Sequence, residues 1–105
     1  MPDRIQLLEQ FIAEDPNDPF NYYALGLEYM KKDVNKALDV FKNLVADHAD
    51  YVATYYQLAK LYEYMGQRTN AVTTYNKGIE ISMRQHDLKT LQELRSALEA
   101  LDEDD

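Results

Sequence analysis

The sequence predicts an all-α fold, an antiparallel helix-pair solenoid of about six helices. Three observations predict it. Apolar residues recur at helical spacing through nearly the whole chain. Glycine and proline number three each, too few for a many-turned β-sandwich. Two stretches also repeat one another at an interval of 33 to 34 residues. That is the mark of helix pairs that bury their faces only against neighbouring pairs.

Each element has its own signal. Ile5, Leu8, Phe11 and Ile12 fall on one face of a short first helix. Asp15-Pro16-Asn17-Asp18-Pro19 breaks it. Asp18 can cap the next helix, and Pro19 at its first position loses no needed N–H. The spacing carries this second helix from about Pro19 to Lys31. Lys32-Asp33-Val34-Asn35 makes a turn, and Asp33 or Asn35 can cap a third helix reaching Asp47. His48-Ala49-Asp50 is another break. A fourth helix runs to Met65 and stops at Gly66, the residue type best suited to a left-handed C-terminal cap. A fifth spans about Arg68 to Arg84. Asp87 can cap a sixth, in which Leu91, Leu94, Leu98 and Leu101 form an apolar seam. The short connections imply antiparallel neighbours. Gly78, inside the fifth helix, reads as a close contact with the sixth, because a mid-helix glycine otherwise costs roughly 1 kcal/mol against alanine.

The repeat is specific at the residue level. Tyr22-x2-Leu25-Gly26-x2-Tyr29 recurs as Tyr55-x2-Leu58-Ala59-x2-Tyr62, and Ala37-x3-Phe41 recurs as Ala71-x3-Tyr75. Small residues at 26, 59, 37 and 71 let helices approach closely, and aromatics fill the wider gaps. The pattern resembles the tetratricopeptide repeat (TPR): an aromatic, x2, Leu-Gly, x2, Tyr, then Ala-x3-Phe/Tyr. Tyr22 and Tyr55 stand where that family usually has Trp, and Ala49 and Met83 stand at the usual closing proline. Within a single domain, residues 1–105, the resemblance covers 5–101 as a half repeat (5–16), two repeats (19–51 and 52–85) and a capping helix (87–101), and the run of acids at 102–105 reads as an acidic tail.

Charge and composition exclude several functions. Eleven basic and 19 acidic side chains give a net charge of −8, the wrong balance for binding a phosphate backbone. With no cysteine there is no disulfide, thiolate zinc site or thiol nucleophile. No stretch approaches the ~20 apolar residues of a membrane span. No secretory h-region opens the chain, so a soluble cytoplasmic protein is the simplest reading. Five acids and one base lie in residues 1–18, and seven acids and two bases in residues 87–105. His48 and His86 each lie in a connection, beside Asp47, Asp50 or Asp87, without metalloprotease spacing. Ser82 and Ser96 lack a nucleophile elbow. No catalytic residue, metal ligand or cofactor is assigned.

The interaction chemistry concentrates on tyrosine. Tyr22, Tyr29, Tyr55, Tyr62 and Tyr75 take repeat-core positions. Phe20, Tyr23, Leu27 and Met30 form a second apolar stripe on their helix. The resemblance implies that this face lines a concave groove that holds peptides. Tyr56, Lys60 and Tyr64 take the corresponding face of the next repeat, and Lys31 and Lys60 rim the patch. The other reading of these residues is cover by the chain's own preceding helix. Lys60 is the one base at the places where a TPR subset clamps a terminal carboxylate, so that clamp is not supported. The functional expectation is a non-catalytic adaptor or scaffold holding an apolar or amphipathic peptide, with no nucleic-acid or membrane partner. The alternative is a homo-oligomer associating through an apolar face or open array end. Likewise, the sixth helix either caps the array or serves a partner.

Overall fold

The computed structural model describes residues 3–103. Among them run six α-helices: α1 (Arg4–Glu14), α2 (Pro19–Met30), α3 (Val34–Asp47), α4 (Ala53–Tyr64), α5 (Arg68–Gln85) and α6 (Leu88–Glu103). No described residue lies in a strand. The fold is therefore all-α, as the periodicity predicts.

Aspartate starts four of the helices. Asp3 accepts from the Gln6 N–H at 2.8 Å, and the Gln6 side chain accepts from the Asp3 N–H at 3.1 Å. This reciprocal box satisfies two of the N–H groups a helix start leaves over. Asp18 accepts from Phe20 N at 3.0 Å, with Pro19 at the first helical position. Asp33, rather than Asn35, caps α3 by accepting from Lys36 N at 3.2 Å. Asp87 caps α6 by accepting from Thr90 N at 3.1 Å. The starts of α4 and α5 have no side-chain cap. Gly66 follows α4 at φ +75°, the left-handed conformation expected of it. His86 ends α5 at φ 58°, which no local signal in the sequence announces.

The helices group into two compact units, Met1–Tyr51 and Val52–Asp105. In the first, α1 packs on α2 and α2 on α3. Leu8, Ala24 and Leu25 are buried, with Ile5, Ile12, Tyr29 and Val40 against them. Arg4, which opens α1, pairs with Glu28 near the end of α2 at 2.8 Å, so the two helices run antiparallel. Gly26 meets the Phe41 ring of α3. A Cβ placed there would stand 2.7 Å from Cζ of that ring, so only glycine fits without displacement. Phe11, expected on the core face with Ile5, Leu8 and Ile12, is instead 46% exposed. The cluster covers Leu8 and the Ile5–Ile12 flank, and the opposite edge of the stripe stays open.

In the second unit α5 packs against both α4 and α6. Ala59, Ala71, Tyr75, Leu94, Ala97 and Leu101 form its core. Leu94 is wholly buried, worth about 1.5–3 kcal/mol relative to an exposed leucine. A Cβ at Gly78 would lie 3.0 Å from Leu94 Cδ1 of α6 and 2.7 Å from Tyr55 Cβ of α4. The predicted contact with the last helix is present, and α4 comes closer still. Arg68 opens α5 and donates to the Leu101 carbonyl at 3.0 Å, near the other end of α6. Its guanidinium also reaches Asp102 at 3.5 Å. This helix continues to Glu103, past the boundary expected at residue 101, because that carbonyl is satisfied rather than frayed. Asp102 and Glu103 thus belong to α6, whereas Asp104 and Asp105 of the expected tail lie outside the described residues. Among the described residues no helix is long and apolar enough to cross a membrane.

Candidate interaction surface

Helix α2 is held on two sides. Ala24 and Leu25 belong to the cluster shared with α1, and Gly26 lies against α3. The remaining side carries the predicted stripe. Phe20 is 56% exposed, but its companions are not open. Tyr23 leans on the rings of Phe41 and Tyr51, with centroids at 6.2 and 5.7 Å. Leu27 and Met30 are half-buried. Lys31 is exposed, yet its Nζ lies 3.4 Å from Glu28 Oε2, the carboxylate that also takes Arg4. The expected broad exposed patch on α2 thus contracts to Phe20 and Lys31. Tilted ring contacts within the first unit cover Tyr23.

The α4 face, described by itself, is also selective. Tyr64 is 78% exposed. Tyr56, expected to be equally open, is half-buried against the core of the second unit. Lys60 Nζ sits 5.7 Å above the Tyr56 ring and 3.7 Å from Glu63 Oε2. Glu63 in turn accepts a short hydrogen bond from the Tyr75 hydroxyl. Burial, and then this bond to a carboxylate, push the Tyr75 phenol well above its ordinary pKa. Both predicted rim lysines are therefore already engaged, and an acidic ligand must compete for them. The lysines are the more exposed partners and their carboxylates are largely covered, so drawing either lysine away leaves a partly buried charge unpaired.

Two further features lie outside the predicted face. Leu7, 37% exposed, and Phe11 of α1 join Phe20 as exposed large apolar side chains of the first unit. The helical period puts Leu7 off the core face of α1. The other feature is a pocket of about 470 Å³ lined by Tyr22 and His48 together with Leu25, Val40, Asn43 and Asp47. Tyr22 donates its hydroxyl to the Pro16 carbonyl at 2.8 Å, and its ring lies 6.4 Å from that of His48. Tyr22 is thus half-buried rather than a closed core residue. His48 and His86 are the C-caps that follow α3 and α5. Among the described residues no three His, Asp or Glu side chains gather as a metal site would require.

Comparison with known proteins bears on this surface through the fold. The tetratricopeptide repeat family matches residues 52–82. A tetratricopeptide repeat domain protein from Salinibacter ruber, solved in solution, is 43% identical. The match covers 83% of this chain and 89% of that one, with a TM-score of 0.79. A crystal structure of a Salinibacter ruber tetratricopeptide repeat domain protein gives 41% identity, 81% and 97% coverage, and a TM-score of 0.78. A solution structure of a protein from Bordetella parapertussis is 21% identical but covers all of this chain and 92% of its own, with a TM-score of 0.85. No curated protein matches the sequence.

Proposed function

Because the chain belongs to the tetratricopeptide repeat family, whose members are generally non-catalytic and bind other proteins, we propose that it is a non-catalytic adaptor. It holds apolar or amphipathic peptide segments on the exposed side of the first helix of each repeat, each taken by itself. The contact residues are those of the predicted face, Phe20, Tyr23, Leu27, Met30 and Lys31 on α2 and Tyr56, Lys60 and Tyr64 on α4, and they do not contribute equally. One observation carries the reading. Each of these helices leaves a large aromatic open to solvent, Phe20 at 56% and Tyr64 at 78%. Exposed aromatics are disproportionately the residues that dominate binding energy at protein interfaces. Tyr23 and Tyr56 shape the surface around them without offering a whole ring.

Net charge supports the choice of partner class. At −8 the protein repels a nucleic-acid backbone, and its two rim lysines are occupied by Glu28 and Glu63. Apolar anchoring therefore outweighs ion pairing. A displayed peptide library tests this directly. The parent should enrich sequences with aromatic or branched aliphatic anchors, and Phe20→Ser with Tyr64→Ser should cut retention by at least about tenfold. Equal retention by parent and double variant would remove these helices from the binding surface.

A further inference from the structure

We infer that the open side of the α1–α2 hairpin is a docking site for a basic amphipathic helix of a partner protein, anchored on Leu7, Phe11 and Phe20. The inference rests on the protein-binding reading above and extends its surface to α1, which that reading does not use.

Helical geometry brings the three residues together. At about 100° per residue, Leu7 and Phe11 lie to one side of Leu8 on α1, and Ile5 and Ile12 to the other. On α2, Phe20 and Leu27 lie to one side of Ala24, and Leu25 and Tyr29 to the other. Two antiparallel helices that face each other place matching flanks on the same side. The structure fixes which flank is filled: Ile5 and Ile12 share a cluster with Leu25 and Tyr29. Leu7 and Phe11 therefore share the opposite side with Phe20. These are the exposed large apolar side chains of the first unit among the described residues.

Charge names the occupant. Residues 1–18 hold five acids and one base. That base, Arg4, is already bound to Glu28 at 2.8 Å. Glu14 and Asp15, both exposed, follow Phe11 where α1 ends. The patch is thus apolar at its centre and acidic at its corner, and among the described residues 3–18 the one basic side chain is already committed. A helix with apolar residues at i, i+3 or i+4, and i+7, flanked by Lys or Arg, complements both features.

A fluorescein-labelled synthetic helix with a leucine stripe and lysine flanks is the probe, read by anisotropy. Its controls are a twin with glutamate flanks and a scrambled peptide of identical composition. The lysine helix should bind, and both controls should bind at least about tenfold more weakly. Leu7→Ser with Phe11→Ser should lower affinity by at least about tenfold, while Leu88→Ser, at an exposed apolar residue outside both proposed surfaces, leaves it unchanged. Both serine positions are exposed, and circular dichroism verifies that the variant keeps its helices. Equal binding of the scrambled peptide or of the glutamate twin overturns the inference. So does indifference to the Leu7 and Phe11 changes. If sedimentation shows a parent dimer that those changes dissociate, the occupant is a second copy and the inference is again overturned. Should library peptides bind while the lysine helix does not, this inference fails and the broader adaptor reading stands. If neither binds, both fail.

Discussion

Tyr75 is wholly buried, yet its hydroxyl donates to the carboxylate of Glu63. Tyr75→Phe should therefore cost about 1–3 kcal/mol at neutral pH, the worth of a hydrogen bond to a charged group, as a lower urea midpoint. The pH dependence has a definite sign. The folded phenol is raised above the unfolded value of about 10, so its contribution is complete below that pH. It is lost progressively as the pH rises, because the unfolded chain releases the proton first. Parent and Tyr75→Phe should accordingly converge in stability above about pH 10, and a constant gap would show that the bond does not set the titration. Thr54 presents the opposite case. Its hydroxyl is buried with no hydrogen-bond partner. Thr54→Val keeps the shape and removes the orphan oxygen, so a stability gain of roughly 1 kcal/mol is expected in thermal melts. Gly26→Leu drives a side chain into the Phe41 ring and should cost on the order of 1–3 kcal/mol.

Helix α6 is fastened at both ends. Asp87 holds its start, with the carboxyl kept below its ordinary value by hydrogen bonds from the Thr90 side chain and backbone. Arg68 holds its last turn through the Leu101 carbonyl. Arg68→Ala should speed amide exchange over residues 98–103 while leaving residues 4–47 unchanged. Exchange that accelerates everywhere would mean global destabilisation rather than a released end. The Asp87 contribution is present above the ordinary carboxylate pKa and fades as the pH falls through the lowered folded value, so α6 loosens first at its start in acid. How legible these elements were depended on the kind of signal. Aspartate caps, Pro19 and Gly66 act on the few residues around them, so the sequence displays them, and α2 to α5 end within a residue or so of expectation. The repeated small residues displayed Gly26 as a close contact, and the cost of a mid-helix glycine displayed Gly78. Phe11 and Tyr56 were misjudged because periodicity names a face without saying how far a neighbour covers it. The left-handed His86 and the Tyr75–Glu63 bond left no local trace, since each is imposed by what packs around it.

At the scale of the whole molecule, the principal helix contacts join consecutive elements: α1 with α2, α2 with α3, α4 with α5, and α5 with α6. Local contacts of this kind keep loop-closure entropy small, and refolding should finish within milliseconds in stopped-flow experiments. The second unit carries its own core from Ala59 to Leu101. A fragment of residues 52–105 should therefore keep a helical circular dichroism spectrum, though with a reduced melting temperature, since small domains bury less of their surface. A random-coil spectrum would count against that core being sufficient. The division into two units also orders events in time. Ribosomes add about 5–20 residues per second, so the first unit emerges while the second is still being made, a lag of seconds against a folding time far shorter. The α1–α2 face carrying Leu7, Phe11 and Phe20 belongs wholly to that first unit. A partner helix can engage it on the nascent chain. If the proposed docking holds, assembly begins during translation, and the partner helix shields an apolar surface otherwise open to aggregation on the ribosome.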